Sequence, residues 1–192
     1  EKIYGVDSMG MTAENLAEMF SISREDQDAF AFWSQQKTAA AQNNGFFDGE
    51  IMEVEIPVKK GDSIKINRDE FPKASTTLEK LGSLRPAFKS DGSVTAGNAS
   101  GLNDGAISLL IGSETGAKQV ACKPMARIVS AAISGVEPRI MGIGPVEASK
   151  KALSRAGLSL DQMDVIELNE AFAAQVLACT RQLGLADNDP RI

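Results

Sequence analysis

Asp164-Val-Ile-Glu-Leu-Asn-Glu-Ala-Phe-Ala-Ala-Gln175 decides the fold. Residues 164–168 form a short, mostly apolar, β-branched run, which predicts a buried strand. After it, Ala171, Phe172, Val176, Leu177, Cys179 and Leu183 recur at helical spacing until Gly184 ends the pattern. A strand that passes directly into a helix places Asn169 at the N-cap, where its side-chain oxygen takes a first-turn N–H, and Glu170 at the positive end of the helix. A second reading stands beside this capping role. An Asn fixed at a strand end projects a neutral amide into a site, where it holds a water or donates to a developing oxyanion.

Upstream, the pattern strand, turn, helix occurs once more. Residues 126–133 read as a strand, Met141-Gly-Ile-Gly-Pro145 as a turn, and 146–156 as a helix with Pro145 in its first turn and Gly157 past its end. Gly142 and Gly144 lack the lysine and hydroxyl residue of a phosphate loop. Ser159-Leu-Asp-Gln162 is a capping-box variant leading into the 164–168 strand. Two such units in succession predict an α/β layered fold.

Before them, Val94-Thr-Ala-Gly-Asn-Ala-Ser-Gly-Leu-Asn-Asp-Gly105 is a run of small residues without helical or strand period, the composition that lets a ligand approach the backbone closely. Residues 106–112 behind it are apolar enough for a buried strand, which pins the loop at one end. Lys73, Lys80, Arg85 and Lys89 make the preceding segment locally basic, read either as a solvated face or as a phosphate contact. Nearer the start, Thr12 is expected to cap a helix reaching Phe20. Ser23-Arg-Glu-Asp26 opens a longer helix that stops at Asn43-Asn-Gly45. Residues 51–58 and 64–66 alternate as a hairpin, its first strand marked as an edge by Pro57, and a short helix is expected near 77–81.

Composition bounds the chemistry. With 20 basic and 26 acidic residues in 192, the net charge of −6 argues against nonspecific nucleic-acid binding. No apolar run is long enough to span a membrane, and Glu1-Lys-Ile-Tyr4 has neither an initiator Met nor a signal peptide, so a soluble, cytoplasmic piece of a longer chain is expected. Cys122 and Cys179 are too few for a disulfide framework or a metal centre, and both are read as packed thiols. The sequence contains no histidine, which removes the commonest general base and metal ligand together.

Six blocks in one order carry a resemblance: Met9-Gly-Met-Thr-Ala-Glu-Asn15, Leu84-Arg-Pro-Ala-Phe88, Thr95-Ala-Gly-Asn-Ala-Ser-Gly101, Asn103-Asp-Gly105, Met141-Gly-Ile-Gly-Pro145 and Asn169-Glu-Ala-Phe172. Together they resemble the thiolase family over essentially the whole chain. The resemblance implies part of the layered αβαβα thiolase fold with an inserted α+β loop domain. Residues 1–102 would be the loop domain on the CoA-binding side, 103–123 the last strand region of the N-terminal half, and 124–192 the first part of the C-terminal half.

It further implies acyl transfer between a 3-oxoacyl-CoA and CoA, or the reverse condensation, with CoA as substrate, no cofactor and no metal. The intact enzyme would be a homodimer or homotetramer. The family's nucleophilic Cys, its Gly-His-Pro and its Cys-x-Gly-Gly-Gly are absent from these residues, so nucleophile and base would lie outside them and the 192 residues alone would be inactive. Cys122 and Cys179 fall in blocks that carry no catalytic cysteine.

By resemblance Asn169 holds the oxyanion-hole water, Ser100 bonds the pantetheine, and Phe88, Ala96 and Leu102 line its channel. Met141, Ala171 and Phe172 form the floor at the reacting carbons, Met9 shapes the acyl pocket, and Lys73 replaces an Arg near the nucleotide end of CoA. Tyr4-Gly-Val-Asp-Ser-Met9 resembles degradative and 3-oxoadipyl-CoA thiolases more than biosynthetic ones, which have His where Ser8 stands; this favours a longer or carboxylated acyl chain. A noncatalytic acyl- or lipid-binding member of the same superfold is the alternative.

Overall fold

A computed structural model describes residues 7–192. Of the Tyr4–Met9 block, residues 4–6 lie outside the described residues. Helix α1 (Met9–Met19) starts at Ser8, whose hydroxyl accepts from the Met11 N–H, so the cap expected at Thr12 lies four residues earlier. Thr12 instead turns its hydroxyl onto the Met9 carbonyl. Helix α2 (Arg24–Asn43) opens on the expected capping box, Ser23 and Asp26 satisfying each other's backbone N–H, and closes at Asn44 and Gly45, which has φ +76°.

The hairpin forms as an antiparallel pair, β1 (Val54–Ile56) with β2 (Ile64–Ile66), in the register Val54↔Ile66 and Ile56↔Ile64. Helix α3 (Leu78–Gly82) is capped by Thr77, and α5 (Gly144–Ala156) carries Pro145 in its first turn and ends at Gly157 in the left-handed region. Three short elements are additional: α4 (Glu114–Gln119) and 3₁₀ turns over Pro138–Ile143 and Leu160–Gln162.

The core is built around α6 (Ala173–Gln182), in which every residue from Ala173 to Thr180 is buried. Leu16 and Ala17 of α1 and Phe30 of α2 pack on Val176, Leu177 and Ala178, with Ile140, Ile143 and Leu168 at the margin. A helix buried all round needs small residues to let its neighbours close in, and three alanines and a cysteine serve that purpose here.

Four expectations require correction. Residues 106–112, 126–133 and 164–168 form no strand, and Ile107, Leu110, Ile133 and Val165 are largely exposed. The apolar runs are as read, but a buried strand exists only when its N–H and C=O groups meet a neighbouring ladder, and among the described residues none lies beside these segments. Residues 130–136 still alternate between half-buried and exposed, the period of a strand without a partner. Finally, Asn169 is not an N-cap. Helix α6 begins at Ala173, Phe172 holds the cap position without a side-chain bond, and Asn169 is exposed. Among the described residues no helix is long and apolar enough to cross a membrane.

Candidate active site

The small-residue loop is ordered by buried polar groups on α1 and α2. Glu14, nine-tenths buried, accepts from the backbone N–H groups of Ser93 (3.0 Å) and Val94 (2.9 Å) and from the Ser93 hydroxyl. Asn98 holds the loop from within. Its Oδ1 accepts from the Thr95 N–H at 2.8 Å, while its Nδ2 donates to the Ser93 carbonyl and to Asp28 Oδ1 at 2.9 Å. Asp28 is itself paired with Arg24, whose Nε lies 2.7 Å from Oδ2, and Gln27 donates to the Ser93 hydroxyl. A Cβ at Gly97 would sit 2.5 Å from Leu81, and one at Gly101 would sit 2.5 Å from the Phe71 ring, so these glycines are required by close approach.

The ordered loop is then handed to the turn before α6. The Ser100 N–H donates to the Ala171 carbonyl at 2.9 Å and the Ala173 N–H to the Asn98 carbonyl at 2.9 Å, a short antiparallel bridge centred on Ala99 and Phe172. This pairing consumes the backbone groups that a helix starting at Asn169 would have used, which is why α6 starts later. Asn169 and Ser100 thereby line one groove of about 300 Å³, together with Ser34, Asn98, Glu170 and Pro72.

A second contact cluster joins the other side of the turn. The Phe88 and Phe172 rings meet edge to face at 6.1 Å, and Phe88 covers Gly10, where a Cβ would lie 2.3 Å from its ring. Gly142 is similarly pressed by Gln175 and Leu16, and its carbonyl accepts from Gln175 Nε2 and from the Cys179 thiol, both at 3.2 Å.

The sequence-predicted residues therefore separate into groups. Ser100, Ala171, Phe172, Phe88 and Asn169 come together around the turn. Met9 opens α1 beside Gly10, and Met141 precedes Gly142; both are about half exposed, with their neighbours packed on the same core. Lys73 is exposed on the loop that follows Pro72, its backbone N–H held by Gln35 Oε1 at 2.7 Å. Ala96 is exposed at the tip of the small-residue loop, and Leu102 is fully exposed beyond it.

Neither cysteine joins this group. Cys122 is exposed after α4, and burial pushes the Cys179 thiol up to about 11, far from a thiolate at neutral pH.

Sequence reasoning missed Glu14, Asp28, Asn98 and Ser34. Glu14 carried a signal, since it is a charge set among Ala13, Leu16 and Ala17 in an apolar run. Glu170 was read only as a helix-end charge. It accepts a short hydrogen bond from the Ser34 hydroxyl and attracts Lys37, whose ammonium lies 3.6 Å over the Trp33 ring. Burial pulls the Lys37 ammonium below the ordinary lysine range, and the Glu170 charge opposes that.

Comparison with known proteins places this geometry. Residues 2–115 match the thiolase N-terminal domain and 122–190 the thiolase C-terminal domain. The chain is 60% identical over 190 residues to the β-ketoadipyl-CoA thiolase of Acinetobacter baylyi, covering 99% of this chain and 47% of that protein. It is 54% identical over 189 residues to the 3-oxoadipyl-CoA/3-oxo-5,6-dehydrosuberyl-CoA thiolase of Escherichia coli, covering 98% and 47%. Its backbone resembles the crystal structure of the Bacillus anthracis acetyl-CoA acetyltransferase with a TM-score of 0.85 and 44% identity, covering 97% of this chain and 47% of that one. Human mitochondrial 3-ketoacyl-CoA thiolase in complex with CoA gives 0.85 and 50%, covering 94% and 45%. The chain thus follows a partial thiolase-like α/β path, although residues 106–112, 126–133 and 164–168 have no ladder partner among the described residues. It spans about half the length of the curated relatives it matches.

Proposed function

Since this chain belongs to the thiolase family, we propose that it contributes the oxyanion and pantetheine side of a site that transfers an acyl group between a 3-oxoacyl-CoA and CoA, or runs the reverse condensation. A cysteine and a histidine from outside these 192 residues supply nucleophile and base. The thiolate adds to the 3-oxo carbon and the C2–C3 bond breaks. Its electron pair stays on C2 as the enolate of acetyl-CoA, which takes up a proton, and the thiol of CoA then displaces the acyl group from the cysteine. The charge that needs stabilising collects on the thioester oxygen of the enolate. A neutral amide at Asn169, holding a water, meets that charge without requiring a cation whose own pKa would shift on burial.

Ser100 bonds the pantetheine, Phe88, Ala96 and Leu102 line its channel, and Lys73 faces the nucleotide end. Met141, Ala171 and Phe172 form the floor, and Met9 bounds the acyl pocket. CoA is a substrate, and the reaction as written requires no cofactor. The names of the two relatives above, a β-ketoadipyl-CoA and a 3-oxoadipyl-CoA/3-oxo-5,6-dehydrosuberyl-CoA thiolase, support a 3-oxoacyl chain that ends in a carboxylate. The assembly is a cytoplasmic homodimer or homotetramer.

The observation that carries this reading is the backbone bridge between residues 98–100 and 171–173, which places Ser100 and Asn169 on one groove. The test is Asn169→Asp in the full polypeptide that bears these residues. Asn169 caps no helix, so folding is expected to be unchanged while turnover falls by about 10² to 10³, the scale for loss of one oxyanion-hole donor. Near-normal turnover in a folded Asn169→Asp protein would remove Asn169 from the chemistry.

A further inference from the structure

We propose that Glu170 is a positioning residue that fixes Asn169 through Ser34 of α2; the proposal rests on the role given to Asn169 above. Asn169 sits four residues before α6 and is exposed, so neither helix geometry nor packing sets its direction. Downstream the backbone is held from Ala171 onward by the bridge to the small-residue loop. Upstream, Leu168 packs at the edge of the core. Between these anchors, the side-chain tie of this segment to α2 is the bond from the Ser34 hydroxyl to Glu170 Oε2.

Ser34 is itself fixed. It lies in the middle of a 20-residue helix, and the Thr38 hydroxyl donates to its carbonyl at 3.1 Å. A rigid donor on a long helix is the kind of support that holds a reacting group to within a fraction of an ångström. The Glu170 charge has a further requirement, because a carboxylate lining the groove would oppose a developing oxyanion. The Ser34 hydrogen bond stabilises that charge and the Lys37 ammonium, which donates to the Ile192 carbonyl at 3.0 Å, attracts it from further off, so part of the Glu170 charge is offset while Glu170 anchors the turn.

The experiment is steady-state thiolysis by the full polypeptide carrying Glu170→Ala, Ser34→Ala, both together, and Glu170→Gln, with Asn169→Asp as reference. Misplacement of one reacting group by about an ångström costs up to about a hundredfold, so Glu170→Ala and Ser34→Ala are each expected to lower kcat about tenfold or more. KM for CoA should stay within about twofold, because the pantetheine contacts come from the other strand of the bridge. Two groups that act as one tie are expected to be non-additive, the double variant matching the worse single one. Glu170→Gln keeps the acceptor for Ser34 and should restore most of kcat.

Unchanged kcat in Ser34→Ala, or additive losses in the double variant, would overturn the proposal even if Glu170→Ala fails to fold. Normal kcat in Glu170→Ala with Asn169→Asp impaired would overturn it while leaving the Asn169 role intact. Impairment in Glu170→Ala with Asn169→Asp normal would instead remove the Asn169 role, and Glu170 would then act on something else.

Discussion

Glu14→Ala tests whether the ordered loop depends on one buried carboxylate. The side chain lies at 6% exposure on α1 and accepts from the Ser93 N–H at 3.0 and 3.1 Å, from the Val94 N–H at 2.9 Å and from the Ser93 hydroxyl at 3.3 Å. The hydroxyl keeps its contact with Gln27, but among the described residues the two backbone donors bond only Glu14, and Val94 is fully buried. An abandoned buried donor costs about 1–3 kcal/mol, so the pair predicts a loss of about 2–6 kcal/mol, nearer the lower end because Ser93 is only half-buried. Glu14→Gln keeps one oxygen facing both N–H groups and loses only the strengthening that charge gives, about 1 kcal/mol. Urea unfolding of the purified chain measures both, as a shift in midpoint at constant slope. A Glu14→Ala protein within about 0.5 kcal/mol of the parent, or a Gln variant as damaged as the Ala one, would refute the assignment of loop order to this carboxylate.

Gly10→Ala gives a diagnostic sign: in a helix the change normally stabilises by up to about 1 kcal/mol, but here the new methyl meets the Phe88 ring at 2.3 Å, so a loss of about 1–3 kcal/mol is expected in thermal unfolding. An aromatic disulfide reagent at pH 8 is expected to modify Cys122 promptly and Cys179 only after denaturant is added, since Cys179 is fully buried and its thiol stays protonated below about 11; titration with and without denaturant reads this directly. Ile107, Leu109, Leu110 and Ile111 are more than 70% exposed in succession, so sedimentation of the purified chain should show concentration-dependent association that Leu110→Lys reduces.

Where structure follows from neighbouring residues, the sequence was readable. Ser23 and Asp26 announce α2 because the capping box closes within one turn, Asn43 to Gly45 stop it, and Pro145 and Gly157 bracket α5 for the same local reason. The strand segments were legible as apolar runs but not as ladders, because a ladder belongs to two segments at once. The start of α6 was misread on the same ground. Ala173 donates to Asn98, 75 residues away, and nothing in the sequence around Asn169 announces that bond. The short α4 escaped because Glu-Thr-Gly-Ala-Lys has a Gly inside and no apolar period. In the site, the motif residues are named by resemblance, whereas the groups that hold them are paired over 70 to 136 positions and leave no local pattern.

Apart from Glu14 on α1, the supporting contacts come from one element, α2. Asp28 reaches the small-residue loop through Asn98, Ser34 reaches the Asn169 turn through Glu170, and Gln35 holds the backbone of Lys73. At about 1.5 Å per residue, Asp28 and Gln35 lie two turns apart on one face, about 10 Å, while Ser34 stands one position round from Gln35. The spacing between the small-residue loop, the Asn169 turn and Lys73 is therefore set in large part by a single helix of 20 residues rather than by three separate loops. A helix holds such spacings to a fraction of an ångström because every residue in it is fixed by its own hydrogen bond, whereas a loop of equal span would have to be fixed residue by residue. This accounts for an otherwise odd feature of α2, a long helix with only Gln27, Asp28 and Phe30 buried: two of those three are polar, and both point to the loop. Its buried surface serves to hold the site as much as to fill the core.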